Sequence, residues 1–421
     1  MTVNLRRVTA AVLVVYLALT CYTAYVLLSK NCFFKSGDGG RRKSAPLTGS
    51  KDGGEWNPWG EELNRSNLSR SAHTIEIWGK AAIGLYLWEH IFSGRLEPKG
   101  DGAWSYGFKK VANLKFKFRT GPWIVPSTVP PLTTHAVLVL NGREPAKVAA
   151  AKSWLDALDT LRHLRGVAVV LLGSEECSGN AWLRPYLKSQ GGRVLAAFIV
   201  YDTPMVDDVE VFQWPLGVAT YRGFPRAQPG EPEWQQQQRP YPCNFVGTVY
   251  PGSSREELLR VLGDRGAPCY LSTRNEWRPL ETQSSLESYL LALKLSDVTL
   301  NPAGKNPECY RIYEALQFGS LPVVEDRTLA PGCAPADAAN GSFRLLKRHH
   351  APLVYVKNWT QEAMPLIERE LAMKPQERVE RRRNLTAWYT AFKRAMRDRF
   401  VHVLTDKFFG KEEQEEEAAG T

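Results

Sequence analysis

Three short runs in the first half of the chain hold almost nothing but apolar residues. They are Ala136 to Leu140 (AVLVL), Val167 to Leu172 (VAVVLL) and Val194 to Tyr201 (VLAAFIVY). Branched runs of this length, with no polar alternation, leave no face for solvent, so as strands they must be covered on both sides. Doubly covered strands belong to parallel sheets with crossover helices. Ala146 to Leu164 supplies such a crossover, because Ala150, Trp154, Leu158 and Leu161 recur at three to four residues. Gly191 and Gly192 mark the loop before the third run.

The pattern restarts after a polar stretch, Pro229 to Arg239, that contains four consecutive glutamines. Cys243 to Val249 reads as a strand with Gly247 inside it, and Pro251-Gly252 as a turn. Ser253 and Ser254 are both N-cap residues in type, each with a Glu three residues on, and Glu256 to Leu262 continues as a helix. Strands are expected at Cys269 to Leu271, Val298 to Leu300, Leu321 to Val324 and Leu353 to Val356. The expected fold is α/β and GT-B-like, with two Rossmann-like domains, 55–238 and 239–360, facing each other across a cleft. The helices of 361–410 would brace the halves. Ligands of such sheets bind beyond the carboxyl ends of the strands.

The chain ends are of another kind. Val8 to Leu28 is an apolar run of about 21 residues, enough at ~1.5 Å per residue to span a bilayer core of ~30 Å. A cleaved signal peptide would have a shorter core, so 8–28 is expected to be a retained signal-anchor, with 1–7 cytoplasmic. Residues 29–54, rich in Gly, Ser, Lys and Arg, read as a stem, and the acidic 411–421 as a disordered tail. Sequons at Asn64, Asn67, Asn340, Asn358 and Asn384 fit a lumenal, glycosylated body, although each alone is a weak signal. Of seven cysteines, Cys21 and Cys32 lie in or beside the anchor. Cys177, Cys243, Cys269, Cys309 and Cys333 allow at most two bridges and a free thiol, with no pairing readable. No CxxC or Cys/His cluster suggests a metal site. The net charge of +10 would suit an anionic partner, but a lumenal body excludes nucleic acid.

The segment most suggestive of chemistry is Asp297 to Asp326, DVTLNPAGKNPECYRIYEALQFGSLPVVED. Asn306 is expected to cap a helix, with Pro307 at its first position and Glu308 suited to its dipole. Gly319 would end the helix and Pro322 open the next strand. The helix N-terminus would then hold a diphosphate, with Lys305 and Arg311 adding charge. Glu314 shares a helix face with Arg311 and can accept both hydroxyls of a ribose. The plainer alternative is an i,i+3 salt bridge.

This segment, with Glu-Ala-Leu-x-x-Gly-x-Leu-Pro-Val, resembles the donor-site motif of exostosin-type glycosyltransferases, in which the helix Glu faces the nucleotide ribose. Asn244 to Leu259, with Gly247 and Arg255, resembles the start of that family's donor half. More specific are the tryptophan-rich blocks Ile77 to Phe92 (IWGKAAIGLYLWEHIF), Asp208 to Arg222 (DVEVFQWPLGVATYR) and Glu55 to Trp59 (EWNPW), with Leu138 to Glu144 (LVLNGRE) and Glu308 to Asp326. These resemble the ribitol-5-phosphate xylosyltransferase family over nearly the whole body. The resemblance implies transfer of xylose from UDP-xylose, in a β1,4 linkage, to ribitol phosphate on the O-mannosyl glycan of α-dystroglycan. It implies an inverting, Golgi-resident type II membrane enzyme with no required cofactor, working beside fukutin-type ribitol-phosphate transferases.

Inversion from an α-linked donor needs a base for the acceptor hydroxyl and charge for the leaving diphosphate. Lys305, Arg311 and Arg255 are expected at the diphosphate. Asp208 and Glu210, beside Asp207 and beyond the third strand, are the base candidates, with Asp208 preferred; Glu89 and His90 form a second pair. Trp214 or Tyr310 would fill the space that a pentose leaves. Two rivals remain. Asp208-Val209-Glu210 is a loose DxD-like string that in a GT-A transferase would hold Mn²⁺. A non-catalytic Golgi scaffold or lectin-like subunit would keep the fold alone. The loop Ala303 to Asn306 lacks the pattern of a P-loop, and no G-x-S-x-G nucleophile motif occurs.

Overall fold

A computed structural model describes residues 73–226, 237–327 and 342–419, with side chains described as far as residue 410. The anchor, the stem, Asn64, Asn67, Asn340 and Cys333 lie outside the described residues. So do the side chains of the acidic tail.

The first half is an eight-stranded sheet. Its strands are β1 (Thr74–Gly79), β2 (Glu97–Lys99), β3 (Trp104–Val111), β4 (Leu114–Thr120), β5 (His135–Asn141), β6 (Gly166–Leu172), β7 (Val194–Val200) and β8 (Val211–Trp214). They run in the order β2-β3-β4-β1-β5-β6-β7-β8. The five strands β1 and β5 to β8, with β4, pair in parallel, and the three expected apolar runs are the fully buried β5, β6 and β7. The antiparallel arm β2-β3-β4 was not legible from apolar runs, because its lysines alternate with buried Phe116 and Phe118 on an edge half open to solvent.

Helix α1 (Ala82–Leu85) follows β1 and runs on as a π-type helix, Tyr86–Ile91; α2 (Pro145–Asp156) follows β5. The long crossover expected to Leu164 ends as a regular helix at Asp156 and tightens into a 3₁₀ turn over Ala157–Thr160.

The second half has β9 (Tyr241–Thr248), α3 (Ser254–Asp264), β10 (Tyr270–Arg274), α4 (Gln283–Leu295) and β11 (Ser296–Asn301). After these come α5 (Tyr310–Gln317), β12 (Leu321–Glu325), α6 (Arg344–Arg348), β13 (Val354–Val356) and α7 (Trp359–Ala372). The sheet is wholly parallel, in the order β10-β9-β11-β12-β13. Ser253 caps α3 by accepting from the Glu256 amide, and the Glu256 carboxylate reaches back to the Gly252 amide at 2.7 Å. Cys243 is joined to Cys269, tying β9 to the start of β10; Cys177 is also disulfide-bonded and Cys309 is free.

The last helix, α8 (Pro375–Ala419), touches both halves. Near its start the buried Arg382 donates to Asp297 at 2.7 Å, at the root of β11. Two turns on, Tyr389 meets Tyr86 hydroxyl to hydroxyl at 3.1 Å. Further along, Phe400 packs on Phe198 of β7 at 4.7 Å between ring centres, and on Trp214 at 5.4 Å. A single aromatic core therefore runs from the first sheet through α8 to Ile312, Tyr313 and Leu316 of α5. Burying rings of this size contributes on the order of 2–3 kcal/mol each, which makes α8 a structural strut. Among the described residues, no helix is long and apolar enough to cross a membrane.

Candidate active site

The strand order of the second sheet locates the site. Chain growth from β9 goes one way to β10 and then back across to β11, so β9 and β11 flank a topological switch point. Loops leaving such neighbouring strands diverge and open a crevice at their carboxyl ends. Two loops leave there: 249–253, leading to α3, and 302–309, leading to α5.

Both carry an arginine over a glycine. Arg255, in the first turn of α3, donates to the Thr248 carbonyl at 2.7 Å. Its guanidinium lies so close to Gly304 that a Cβ there would meet Nη2 at 2.9 Å. Arg311, in the first turn of α5, donates to the Val246 carbonyl at 3.1 Å. A Cβ on Gly247 would meet its Nη2 at 2.6 Å. A larger residue at either place would push the guanidinium from its position. Neither arginine has a carboxylate partner among the described residues, and Arg255 Nε and Arg311 Nη1 are enclosed without a hydrogen bond. Burial lowers the Arg255 pKa, and the neighbouring Arg311 charge lowers it further. Two partly buried cations with donors to spare and no carboxylate can accept an anion.

Glu325, at the end of β12, fixes both loops. It accepts from the Ser254 hydroxyl at 2.9 Å, the Ala303 amide at 2.8 Å and the Trp359 indole at 3.0 Å. Lys305 is exposed at the tip of the second loop.

Asn306 does not start the helix. Its Oδ1 accepts the Glu308 amide at 2.9 Å in a local turn, and its Nδ2 donates to the Glu175 carbonyl of the other half at 3.0 Å. The extended Cys309 then breaks the path, and α5 begins at Tyr310 with no side-chain cap. A residue of capping type thus served a turn instead, which sequence alone does not separate. The helix terminus still opens between the halves, since Tyr310 lies over Arg143, with 5.7 Å from guanidinium to ring.

The first half meets this crevice with the carboxyl ends of β5, β6 and β7. Arg143 follows β5, hydrogen-bonds the Tyr201 hydroxyl and lies 3.6 Å from Glu175, which follows β6. The crossing segment supplies the Ala219 amide, which donates to Glu314 Oε1 at 2.9 Å; Tyr289 of α4 donates to Oε2 at 2.5 Å. Glu314 is buried, and burial raises its pKa. Beside it Arg222 pairs with Glu281 at 3.2 Å and stacks on Trp277, which is 56% exposed.

Sequence reasoning missed Glu308 as anything beyond a helix-dipole residue. It is buried in the seam, where Oε1 accepts from the Leu216 amide at 3.1 Å and the Tyr313 hydroxyl at 2.5 Å. Burial raises its pKa to about 7. The signal in sequence was present only as a carboxylate in a Pro-containing loop after a strand.

Asp208 and Glu210 are not brought to the crevice. They immediately precede β8, and since β8 is parallel to β7, they sit at the amino ends of the strands, opposite to Arg143 and Tyr201. Asp208 pairs with Arg348 at 2.9 Å and Arg399 at 2.5 Å. Glu210 accepts the Ser189 amide at 3.0 Å and its hydroxyl at 2.5 Å. Asp207 gives one oxygen to the amides of Val209, Glu210 and Val211, which lowers its pKa against the effect of burial. The three carboxylates therefore do not converge as a metal site would require, and no metal-binding group of His, Cys, Asp and Glu occurs among the described residues. Glu89 pairs with Arg226 at 2.5 Å; His90 is buried and neutral, its pKa lowered to about 3 by burial and then by Lys393 and Arg226. Trp214 belongs to the core and not to a sugar pocket. Asn358 caps α7 and Asn384 is exposed on α8.

Residues 75–215 match the RXYLT1 N-terminal domain and residues 221–409 the RXYLT1 C-terminal domain. A Danio rerio protein, ribitol-5-phosphate xylosyltransferase 1, is 42% identical over 96% of this chain and 98% of its own length. The chain belongs to the ribitol-5-phosphate xylosyltransferase 1 family. Its Homo sapiens and Mus musculus relatives of the same name are each 44% identical, covering 84% of this chain and 84% of their own. The two family domains meet between 215 and 221, in the segment that carries Leu216 and Ala219 to Glu308 and Glu314. Among solved structures, the catalytic domain of starch synthase IV from Arabidopsis thaliana, bound to ADP and acarbose, matches at 10% identity, covering 80% of this chain and 99% of that one. The TM-score of that match is 0.40.

Proposed function

We propose that the chain is an inverting glycosyltransferase of GT-B type. It moves xylose from UDP-xylose to a ribitol 5-phosphate unit on the O-mannosyl glycan of α-dystroglycan, in a β1,4 linkage. Family membership supports the xylosyl donor and the ribitol phosphate acceptor. The observation that carries the site is the pair Arg255 and Arg311, whose enclosed N–H groups have no partner at the switch point of the second sheet.

In this reading the two guanidiniums bind the diphosphate, with Gly247 and Gly304 giving them room and Lys305 adding charge at the loop tip. Asn306 ties the loop to the first half. Glu314 faces the ribose with the lone pairs that Ala219 and Tyr289 leave free. As the bond to the sugar breaks, negative charge grows on the diphosphate beside fixed positive charge, which lowers the barrier. The arginines supply that charge, so no divalent cation is required. The apolar run 8–28 anchors the enzyme as a type II Golgi membrane protein with a lumenal body, and the Cys243–Cys269 bridge is consistent with an oxidising compartment. Fukutin-type ribitol-phosphate transferases would supply the acceptor.

The test is a donor panel on the purified protein, with a ribitol 5-phosphate acceptor and UDP release and product mass as readouts. Xylosyl product from UDP-xylose, retained in strong chelator, is the expected result. Transfer from another UDP-sugar but not UDP-xylose would overturn the donor assignment. Absolute metal dependence would overturn the role given to the arginines.

A further inference from the structure

We infer that Glu308 takes the proton from the acceptor hydroxyl, an inference that rests on the transfer reaction proposed above. The argument starts from geometry. Glu308 lies in the loop after β11, opposite the carboxyl ends of β5 and β7, so it belongs to the donor half but faces the acceptor half. Oε1 is held by two donors, the Leu216 amide and the Tyr313 hydroxyl. Oε2 accepts no hydrogen bond and is not fully enclosed, so it can accept one. A carboxylate with one oxygen clamped and the other open is positioned for proton transfer without a change of rotamer.

The other carboxylates at the seam are committed. Asp202, after β7, gives Oδ1 to Gln213 at 2.6 Å and Oδ2 to the Phe343 amide at 2.8 Å. Glu314 already has one donor on each oxygen, and its remaining lone pairs are assigned to the ribose. Glu175 is more exposed and is drawn toward Arg143. Asp208 and Glu210 lie at the far end of the strands.

The surroundings also tune Glu308 for the task. The charged and titratable groups facing it are Tyr313 from α5, Asp202 and Tyr201 from the end of β7, Arg143 from the end of β5 and Tyr86 from the helix after β1. Burial, with a smaller push from Asp202, raises its pKa to about 7 against the pull of Tyr313, the Leu216 amide and Arg143. A base of that strength is about half ionised at neutral pH, so it can both take the proton and hold it. The step balances. The acceptor oxygen forms a bond to the sugar C1 and the bond from C1 to the diphosphate oxygen breaks. UDP leaves with that electron pair toward Arg255 and Arg311, and the hydroxyl proton passes to Glu308 Oε2 and then to water.

The experiment compares Glu308→Gln with the wild type in the full chain. Gln can keep an oxygen on Leu216 and Tyr313 but cannot take a proton. UDP affinity is expected to change less than about twofold, while kcat falls at least about 100-fold. The acidic limb of the kcat/KM profile, with a midpoint of about 7, is expected to vanish. Formate should partly restore transfer to Glu308→Ala. Persistence of the acidic limb in Glu308→Gln overturns the inference, as does its removal by Glu175→Gln with Glu308→Gln still active. A purely structural role would lower stability and UDP affinity together, leave the limb in place and give no rescue by formate, which overturns it too. A wild-type protein that makes no xylosyl product, or an Arg311→Ala variant that binds UDP normally, sinks the underlying reading instead.

Discussion

Two groups of arginines in the second half, one buried around Arg382 and one partly buried at the crevice, are treated in opposite ways. Around the root of α8, Arg382 and Arg378 converge on the fully buried Asp297, and Arg381 takes both oxygens of Glu370. Arg239 beside them spends its donors on the carbonyls of Leu293, Ser296 and Phe318. At the other edge of the same sheet, Arg255 and Arg311 find only single backbone carbonyls and repel one another. Removing charge from water costs several kcal/mol per ion, so a fold that needs its cations for packing matches them. The pair at the crevice lacks a carboxylate among the described residues, which is the feature behind the diphosphate role proposed above. Beneath the seam a third solution appears. His90 and Lys393 are buried without carboxylates, and burial lowers the Lys393 pKa to about 8 and that of His90 to about 3, discharging the imidazole.

The comparison breaks most readily at Asp297. Asp297→Ala strands Arg382 in the interior and should cost about 3–5 kcal/mol in denaturant unfolding. A loss below about 1 kcal/mol would mean that the root cluster is no better matched than the crevice. Arg311→Ala should do the reverse. It should weaken UDP binding by about 1.5–3 kcal/mol in calorimetry, while unfolding stability stays level or rises. Pyrophosphate should lose affinity in parallel with UDP.

His90 gives a pH test. Its folded pKa lies below the unfolded value, so the unfolded state takes up the proton first, and the stability present above pH 6.5 is lost as pH falls toward 3. That loss should reach about 2 kcal/mol by pH 5 and should be missing from the stability profile of His90→Gln. Glu314→Gln should lower UDP affinity by about 1 kcal/mol and leave pyrophosphate binding alone, which separates a ribose contact from a phosphate contact. Equal effects on both ligands would return Glu314 to a purely packing role. The smallest effect is expected at Asp208→Asn. Its pairs with Arg348 and Arg399 are surface pairs worth at most about 1 kcal/mol, and transfer should be unchanged.

Much of the α/β framework was legible. β5, β6 and β7 announce themselves because strands covered on both faces have no polar alternation, and α3 because Ser253 and Glu256 form a local cap. The arm β2-β3-β4 was missed because one open face breaks that pattern. Gly247, Arg255 and Arg311 could be picked out as phosphate-binding types, but not Gly304, nor the two pairs of guanidinium over glycine. Asp208 was misplaced because proximity in sequence to β7 says nothing about which end of β8 a residue occupies. In a parallel pair the connection returns to the starting edge, so the residues just before the second strand lie a full strand length from those just after the first.

By itself the sequence determined which segments could be strands, which residues could carry charge to a diphosphate and which family the blocks resemble, because each of these depends on short-range pattern. Tertiary structure decided which charges are left without partners. Arg382 and Arg311 are the same residue type near the start of a helix, and only the approach of Asp297 to one and of a glycine to the other sets them apart. Desolvation is likewise a property of the packed seam, which is why Glu308 could be read as a helix-dipole residue in the chain and acquires a pKa of about 7 only once Leu216, Tyr313 and Asp202 close around it.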